Sequence, residues 1–409
     1  MVNDRAGMGS LMCARRVAGP RSRALVVPLL LAAALAGLGP GAASASACGS
    51  GTGQPVRPGS QNRFFAVAIS SCQAWAVGDY VTGAGDLRTL IERWNGTGWK
   101  QQPSPSPAAA YNDLFGVAAT SATNAWAVGY YSNNPASLAF HTLAEHWNGT
   151  AWTRVPSPSP GGRTGDSLLQ AVAATSASDA WAVGGYTAGG STDSRTLAEH
   201  WNGTVWTRVP SPNPGGTNSS ATLAAVAATS PNDAWAVGQS SAGAWIEHWN
   251  GTAWTQVPSP VAAGVLTGVA ATSANDAWAV GYYHNPPSAL RYQTLVEHWN
   301  GTTWTRVPSP NPSPAPFTNQ LNAVAATSAS DVWVVGNYIS SARPFPTLTL
   351  VEHWNGTTWT QVPSPSPSPG SGRFNDMDGV AANSASNAWA VGEYVTSSQA
   401  QRTLAFHCC

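Results

Sequence analysis

One unit of about fifty residues repeats along most of this sequence of 409 residues. The motif Ala-Trp-Ala-Val-Gly, or a close variant, recurs at intervals of 43 to 56 residues. The repeats are centred on Trp75, Trp126, Trp181, Trp235, Trp278, Trp333 and Trp389. Units of this kind cannot bury their apolar faces alone and must pack against their neighbours. The repeat therefore predicts one continuous array of similar units rather than a series of unrelated domains.

Each copy divides into four short predicted strands. In the sixth copy they are the Leu-Asn-Ala-Val-Ala-Ala-Thr-Ser run, the tryptophan motif, the Thr-Leu-Val-Glu-His-Trp run and the Trp-Thr-Gln-Val-Pro run. The Asn-Gly between the last two strands predicts a two-residue hairpin with positive φ at both positions. The following Pro-Ser-Pro segment ends the unit, because proline cannot donate a hydrogen bond to a strand ladder.

Four antiparallel strands in each of seven copies predict an all-β fold, a seven-bladed β-propeller that occupies residues 48–409. Packing of blades face to face would bury both sides of each sheet, which explains 20 tryptophans in the chain. The seventh copy ends without its fourth strand, whereas residues 54–60 resemble that missing strand and its proline-rich end. We predict that this N-terminal segment supplies the outer strand of blade 7 and closes the ring.

Residues 1–47 have the pattern of a cleaved export signal. Four arginines between Arg15 and Arg23 precede an apolar run, and Ala45-Ser46-Ala47 forms a cleavage site before Cys48. We therefore expect a secreted protein. Two alternatives are an uncleaved anchoring helix and a lipid anchor on Cys48. No later run is apolar for the length that a transmembrane helix needs.

Signal removal leaves four cysteines, and an even number in an exported chain suggests disulfide bonds. Two lie near the new N-terminus, Cys48 and Cys72, and two at the C-terminus, Cys408 and Cys409. If residues 54–60 join blade 7, the two ends of the chain meet. We predict that Cys48 pairs with Cys408 or Cys409, and that Cys72 pairs with the other.

The charge pattern excludes some partners. The chain has 19 basic and 19 acidic residues, and only 9% of its residues are charged. A nucleic-acid binder needs a basic face, so we expect no nucleic-acid partner. A Glu-His pair recurs in the third strand, but adjacent strand residues point to opposite faces and cannot grip one metal ion together. We expect no metal and no cofactor, and a hydrogen-bonded carboxylate where blades meet.

The hairpin from Glu297 to Trp304 resembles the Asp-box of sialidase-like propellers, with Gly301, Thr303 and Trp304 in register. It departs from that motif at the aspartate position, which holds Trp299. The whole repeat also resembles kelch-like and other secreted bacterial propellers. The resemblance implies a propeller fold and no single activity, because such propellers include lectins, hydrolases, lyases, oxidases and scaffolds.

The loops between strands two and three, and between blades, vary in length and emerge on one face. Near this face, six tyrosines follow the strand-two glycines and are candidates for stacking on sugars or for capping the core: Tyr80, Tyr131, Tyr186, Tyr283, Tyr338 and Tyr394. One strand-one position also varies around the axis: Phe65, Phe115, Gln170, Ala224, Thr267, Asn322 and Asp378. Our first expectation is a monomeric, non-enzymatic binding propeller for carbohydrate or an extracellular protein.

Acidic residues outside the repeat pattern support an enzymatic alternative. Asp79, Asp376, Asp378 and Glu393 fall near the junction of blades 1 and 7. Glycoside hydrolysis uses two close carboxyl groups, so this junction could be the site of a polysaccharide hydrolase or lyase. The clustered arginines of a sialidase-like site are not visible in the sequence. A second alternative is a purely structural module of the cell surface.

Overall fold

The structure is a computed structural model that describes residues 59–408, except 71–72, 134–138, 215–218, 285–290, 315 and 371–372. The described residues form 27 β-strands and no helix. The strands make seven antiparallel sheets, and consecutive sheets contact each other in a closed ring. The predicted seven-bladed β-propeller is therefore confirmed.

The strands follow one another in chain order. Blades 1 and 2 contain β1 to β8, which are Gln61–Ser70, Gln73–Val81, Leu87–Trp94, Trp99–Gln102, Tyr111–Ser121, Asn124–Ser132, His141–Trp147 and Trp152–Val155. Blades 3 and 4 contain β9 to β16, which are Ser167–Ser176, Asp179–Thr187, Ser194–Trp201, Trp206–Val209, Ala221–Ser230, Asp233–Ser240, Gly243–Trp249 and Trp254–Val257. Blades 5 to 7 contain β17 to β27, which are Gly264–Ser273, Asp276–His284, Tyr292–Trp299, Trp304–Arg306, Asn319–Ser328, Asp331–Ile339, Thr347–Trp354, Trp359–Gln361, Asn375–Ser384, Asn387–Val395 and Gln401–Cys408.

The first strand of each blade is the innermost one. These strands contact each other from blade to blade around the axis, and β1 completes the circle against β25. Six sheets have four strands, while blade 7 has three within the described residues, in the order β25-β26-β27. Most of the predicted closing strand, residues 54–58, lies outside the described part of the chain, so that strand stays a prediction.

Tryptophans join the blades. The strand-two tryptophan of one blade packs between the two outer tryptophans of the next: the Trp181 ring lies 4.8 Å from that of Trp249 and 5.0 Å from that of Trp254. The same arrangement closes the ring, where Trp389 of blade 7 packs 5.0 Å from Trp94 and 5.1 Å from Trp99 of blade 1. Buried aromatic rings contribute large contact areas, so these stacks hold neighbouring blades together.

The hairpin between strands three and four differs from its prediction. Trp299 pairs directly with Trp304, so the turn contains four residues rather than two, and only Gly301 among them has positive φ. The Asn300 side chain explains the difference: its Oδ1 accepts the backbone N–H groups of Thr302 and Thr303, both at 3.0 Å. This side-chain cap closes a wider turn without placing asparagine in the left-handed region.

A buried glutamate occupies the third strand of each of the first six blades. Glu247 accepts hydrogen bonds from Trp245 Nε1 (2.7 Å) and from Ser211 Oγ (2.9 Å), and Ser211 belongs to the segment that ends blade 3. Glu297 accepts an equivalent bond of 2.7 Å from Ser259. The predicted hydrogen-bonded carboxylate is therefore present at these two junctions, whereas in the described residues neither carboxyl oxygen of Glu145, Glu199 or Glu352 has a hydrogen-bond partner. Burial raises the pKa of Glu297 to about 7 and that of Glu352 to about 8.

The raised pKa values predict that stability falls with increasing pH. A carboxyl whose folded pKa exceeds its unfolded value stabilises the fold below about pH 4.5, and that stabilisation is lost as pH rises toward the folded pKa. For Glu352 the loss is about 1.4 kcal/mol per pH unit, continuing to about pH 8. The free energy of unfolding is measured by urea titration at several pH values from about 5 to about 8. It should depend less steeply on pH in Glu352→Gln than in the wild type.

The control for this comparison is Asp86→Asn, which also converts a carboxyl to an amide. The Asp86 side chain is 38% exposed and pairs with Arg88 at the surface. This variant should keep the pH dependence of the wild type. An equal slope for Glu352→Gln and the wild type would show that the buried carboxyl does not take up a proton on folding.

Trp181→Ala should lower the free energy of unfolding by about 3–5 kcal/mol, because it removes a fully buried ring from between two tryptophans. Trp333→Ala is the matched comparison. Blade 7 has Cys408 where the other blades have the third-strand tryptophan, so Trp333 has fewer aromatic neighbours to lose. Urea titrations should give a clearly lower free energy of unfolding for Trp181→Ala than for Trp333→Ala. Equal losses of stability would argue against tryptophan stacking as the contact between blades.

Candidate functional site

Every innermost strand contains a one-residue β-bulge. Opposite the motif glycine and the valine before it, the register of each first strand against its second strand skips one residue, and the residue before that position is fully buried. The skipped residues are half-buried and are the strand-one residues that vary between repeats: Phe65, Phe115, Gln170, Ala224, Thr267, Asn322 and Asp378. Bulges re-aim single side chains and occur often beside active sites.

The bulge explains the glycine of the tryptophan motif. In blade 6 the Gln320 carbonyl oxygen lies only 2.2 Å from where a Cβ of Gly336 would be, and the other six blades repeat this approach at 1.9–2.2 Å. Any side chain at this position would overlap backbone atoms. The glycine therefore lets the bulged strand lie close to its neighbour.

The bulged side chains contact the neighbouring blade around the axis. Thr267 Oγ1 donates to the Leu321 carbonyl at 2.8 Å, and Asn322 Nδ2 donates to the Met377 carbonyl at 3.0 Å. Each acceptor is the residue just before the next bulge. The bulged residues therefore follow one another around the inside of the ring.

A second set of varying residues lies beside the bulges, toward the face where strands two end and strands three begin. In each blade a first-strand residue pairs with the second-strand residue after the glycine. These pairs are Arg63 with Asp79, Asp113 with Tyr130, Leu168 with Gly185, Thr222 with Gln239, Val265 with Tyr282, Gln320 with Asn337, and Asp376 with Glu393. We call the seven bulged residues and these seven pairs the axial mouth.

Charge within the axial mouth is confined to blades 7, 1 and 2. Five carboxyl groups lie there, and Arg63 is the one basic side chain in the set: the acidic residues are Asp79, Asp113, Asp376, Asp378 and Glu393. Blades 3 to 6 contribute only neutral residues. The repeat positions are equivalent, so this asymmetry arises from the side chains and not from the backbone.

Asp376 is at the centre of the acidic part. It is 6% exposed and directly opposite Glu393, which is 8% exposed. Its Oδ1 accepts hydrogen bonds from Asn337 Nδ2 at 2.7 Å and from Asn322 Nδ2 at 2.8 Å, both in blade 6. Burial, followed by the Glu393 charge, raises the pKa of Asp376 to about 7, although the two amide donors oppose the shift. Asp376 can thus carry a proton near neutral pH.

Asp79 has a different environment. Arg63 binds its carboxylate through two hydrogen bonds, from Nε at 2.7 Å and from Nη2 at 2.8 Å. The Arg63 guanidinium also lies 5.2 Å from the centre of the Phe65 ring. A bidentate ion pair of this type holds both partners in place.

The structure therefore brings the four predicted acidic residues to neighbouring strands of blades 7 and 1. Asp376 and Glu393 face each other, Asp378 lies at the bulge of the same strand, and Asp79 is committed to Arg63. Sequence reasoning missed Arg63, Asn337 and Tyr130. Their departure from the repeat at the paired positions is the signal that would have identified them.

The six predicted tyrosines are not brought together. Each packs at the edge of the hydrophobic cluster between its blade and a neighbour. Tyr131 accepts a hydrogen bond of 2.7 Å from Arg154, whose guanidinium lies 4.5 Å from the ring centre, and Arg208 binds Tyr186 in the same way. These contacts suit a capping role, and sugar stacking by the tyrosines stays a prediction.

Several predicted features fall outside the described residues. These are the export signal of residues 1–47 and the residues Cys48, Cys72 and Cys409, while only the backbone of Cys408 is described. The disulfide pairing and the lipid anchor stay predictions. In the described part of the chain, no helix has the length and apolarity of a membrane span, and no three His, Cys, Asp or Glu side chains are grouped to hold a metal ion.

No family model and no curated protein matches this sequence. Among solved structures, the ring is similar to a polysaccharide lyase of family PL25, an ulvan lyase, bound to -[GlcA(1-4)Rha3S]-, with a TM-score of 0.54 and 11% identity over 87% of this chain and 95% of that one. A second structure of a PL25 ulvan lyase gives 0.51, with 11% identity over 87% of this chain and 93% of that one. The GH74 xyloglucanase of Xanthomonas campestris gives 0.49, with 12% identity over 86% and 55%.

These comparisons correct our first expectation. A non-enzymatic binding propeller is contradicted, because the ring matches a polysaccharide lyase over nearly its whole length. The comparisons favour the alternative of a polysaccharide-active enzyme. At 11% identity the match shows the fold alone and assigns no residue, so the site must be argued from the side chains of this chain.

Gly336→Ala should destabilise the protein by about 3 kcal/mol, because a Cβ at this position would meet the Gln320 backbone at 2.2 Å. Gly83→Ala is the matched control, since Gly83 lies in an exposed loop with no atom within 4 Å of a built Cβ. Thermal unfolding of the two variants tests the prediction. A Gly336→Ala protein as stable as Gly83→Ala would mean that the bulge is not rigid.

Proposed function

We propose that this chain is a polysaccharide hydrolase whose active site is the acidic part of the axial mouth. The observation that carries the proposal is the buried Asp376 carboxyl, held opposite Glu393 and raised in pKa to about 7, with Asp378 at the bulge of the same strand. Export through residues 1–47 and kinship with Asp-box or kelch-like propellers are part of the proposal and rest on the sequence.

Hydrolysis of a glycosidic bond needs one carboxyl that donates a proton to the leaving oxygen and one carboxylate that acts as base or nucleophile. Burial and the Glu393 charge keep a proton on Asp376 up to neutral pH. Asn322 and Asn337 both donate to Oδ1 and hold the carboxyl in place, and the Met377 backbone also donates to it. Asp376 is therefore the proposed proton donor.

Asp378 is the proposed ionised partner. Its side chain is half-buried, in contrast to the nearly fully buried Asp376, and it occupies the bulged position on the innermost strand. A more solvated carboxylate beside a buried protonated one gives the two different protonation states that general acid–base chemistry requires.

Charge favours hydrolysis of a neutral polysaccharide over elimination on an acidic one. An elimination at a uronic acid must neutralise the sugar carboxylate, and Arg63, the one basic side chain of the axial mouth, is already bound to Asp79. With Asp376 protonated and Asp79 paired with Arg63, the remaining carboxyl groups, Asp113, Asp378 and Glu393, leave an excess of acidic groups that would repel an anionic chain. We therefore propose a neutral polysaccharide as the substrate, in contrast to the GlcA-Rha3S ligand of the similar lyase.

The test is a cleavage screen with soluble neutral polysaccharides and uronate-containing ones, read by new reducing ends and by the ultraviolet absorbance of unsaturated sugars. We expect reducing ends without unsaturated products. Asp376→Asn and Asp378→Asn should each lower kcat/KM by about 100-fold or more. Glu393→Gln removes a charge that raises the pKa of Asp376, so its activity should begin to fall at a lower pH than that of the wild type. The wild-type kcat/KM should fall as pH rises above about 7, because Asp376 then loses the proton that it must donate.

Asp193→Asn is the control, since Asp193 lies in a loop of blade 3 outside the axial mouth. It should retain wild-type activity. Unsaturated products would show that the protein is a lyase and not a hydrolase. Full activity in all three acidic-site variants would show that the active site lies elsewhere in the ring.

A further inference from the structure

A continuous strip of aromatic side chains lies in blades 1 and 2. The Phe65 ring lies 5.0 Å from that of Phe115, Phe115 lies 5.5 Å from Tyr130, and Tyr130 lies 4.6 Å from Phe140. We call these four residues the aromatic strip. Two of its members are bulged residues of neighbouring innermost strands, so the strip begins at the axis and runs outward.

The fold does not require aromatic residues at these positions. At the bulge, where blades 1 and 2 have Phe65 and Phe115, blades 3 to 7 have Gln170, Ala224, Thr267, Asn322 and Asp378. At the position of Tyr130, other blades have Asp79, Gly185, Gln239, Tyr282, Asn337 and Glu393. The same backbone thus accepts small and polar side chains at equivalent sites. An apolar surface that packing does not demand indicates a binding role.

Burial separates the strip from the core. Phe64 and Leu114, which precede the two bulged phenylalanines, are 0% exposed, whereas Phe65 and Phe115 are half-buried. Phe64 and Leu114 therefore fill the core next to the bulge in blades 1 and 2, and the bulged phenylalanines are not needed there. The bulged rings remain accessible beside it.

The strip is continuous with the acidic site. A Cβ built on Gly379, the residue after Asp378, would lie 2.9 Å from the Phe65 carbonyl oxygen, so the bulge of blade 7 packs directly against that of blade 1. The strip itself is uncharged. A ligand that spans both regions must combine apolar faces with groups that donate hydrogen bonds to carboxylates.

We infer that the aromatic strip binds sugar rings of a neutral polysaccharide and positions the chain across Asp378. This inference rests on the proposed function. A neutral pyranose has an apolar face of C–H groups that stacks on aromatic rings and a rim of hydroxyls that donate to carboxylates. Neutral sugars also suit a mouth whose carboxyl groups disfavour anionic ones.

The experiment measures polysaccharide binding separately from cleavage. Binding is read by affinity electrophoresis in gels that contain β-glucan, xylan or galactomannan, in the wild type and in an Asp378→Asn background. Three of the four strip residues are each replaced by the residue that the same position has in another blade: Phe65→Thr as in blade 5, Phe115→Gln as in blade 3 and Tyr130→Gln as in blade 4. Because the fold accommodates these residues elsewhere, the variants should fold, and thermal unfolding verifies it.

We expect binding of at least one of these polysaccharides, and each strip variant should weaken it about tenfold. Asp193→Asn, outside the axial mouth, should bind as the wild type does. In an active enzyme, the strip variants should raise KM more than they lower kcat.

The outcomes separate this inference from the proposed function. If the wild type binds a polysaccharide, the strip variants do not, and no substrate is cleaved, the result would support sugar binding by the aromatic strip and refute the proposed hydrolase activity. Cleavage with the same KM in the wild type and the strip variants would keep the hydrolase and overturn the strip. Absence of binding to all three probes by the Asp378→Asn protein would also overturn it.

Discussion

The stacking of each strand-two tryptophan between two tryptophans of the next blade is the contact on which the ring depends. It recurs at six of the seven junctions, including the one that joins blade 7 to blade 1, so one kind of contact both extends and closes the array. Rigid rings of this size determine the spacing of neighbouring blades. The inner strands are therefore held at nearly constant separation around the axis.

On this constant frame, the β-bulge separates structure from function. The residue before each bulge fills the core, and the bulged residue itself is re-aimed toward the inside of the ring. The motif glycine accommodates the displaced strand. Side chains at the bulge can consequently differ from blade to blade without a change of backbone. The Asp378 carboxyl in blade 7 and the Phe65 and Phe115 rings in blades 1 and 2 use this freedom.

Much of the fold could be predicted because its causes recur in every copy. Seven tryptophan motifs indicated seven blades, and a glutamate in the third strand of six blades indicated a carboxylate between blades. The hairpin was predicted less well, because the Asn300 side chain, rather than its backbone, closes the turn. The nearness of Asp376 and Glu393 was predicted from blade order, but the amide donors to Asp376 were not.

The sequence by itself determined the number of blades, the order of their strands and the contacts that repeat between them, because each of these depends on a local motif present in every copy. Only the tertiary structure decided which of the non-repeating residues meet. Asn322 and Asp376 are 54 residues apart and form a hydrogen bond only because neighbouring innermost strands align at their bulges. That alignment depends on the packing of whole blades, which no single repeat encodes.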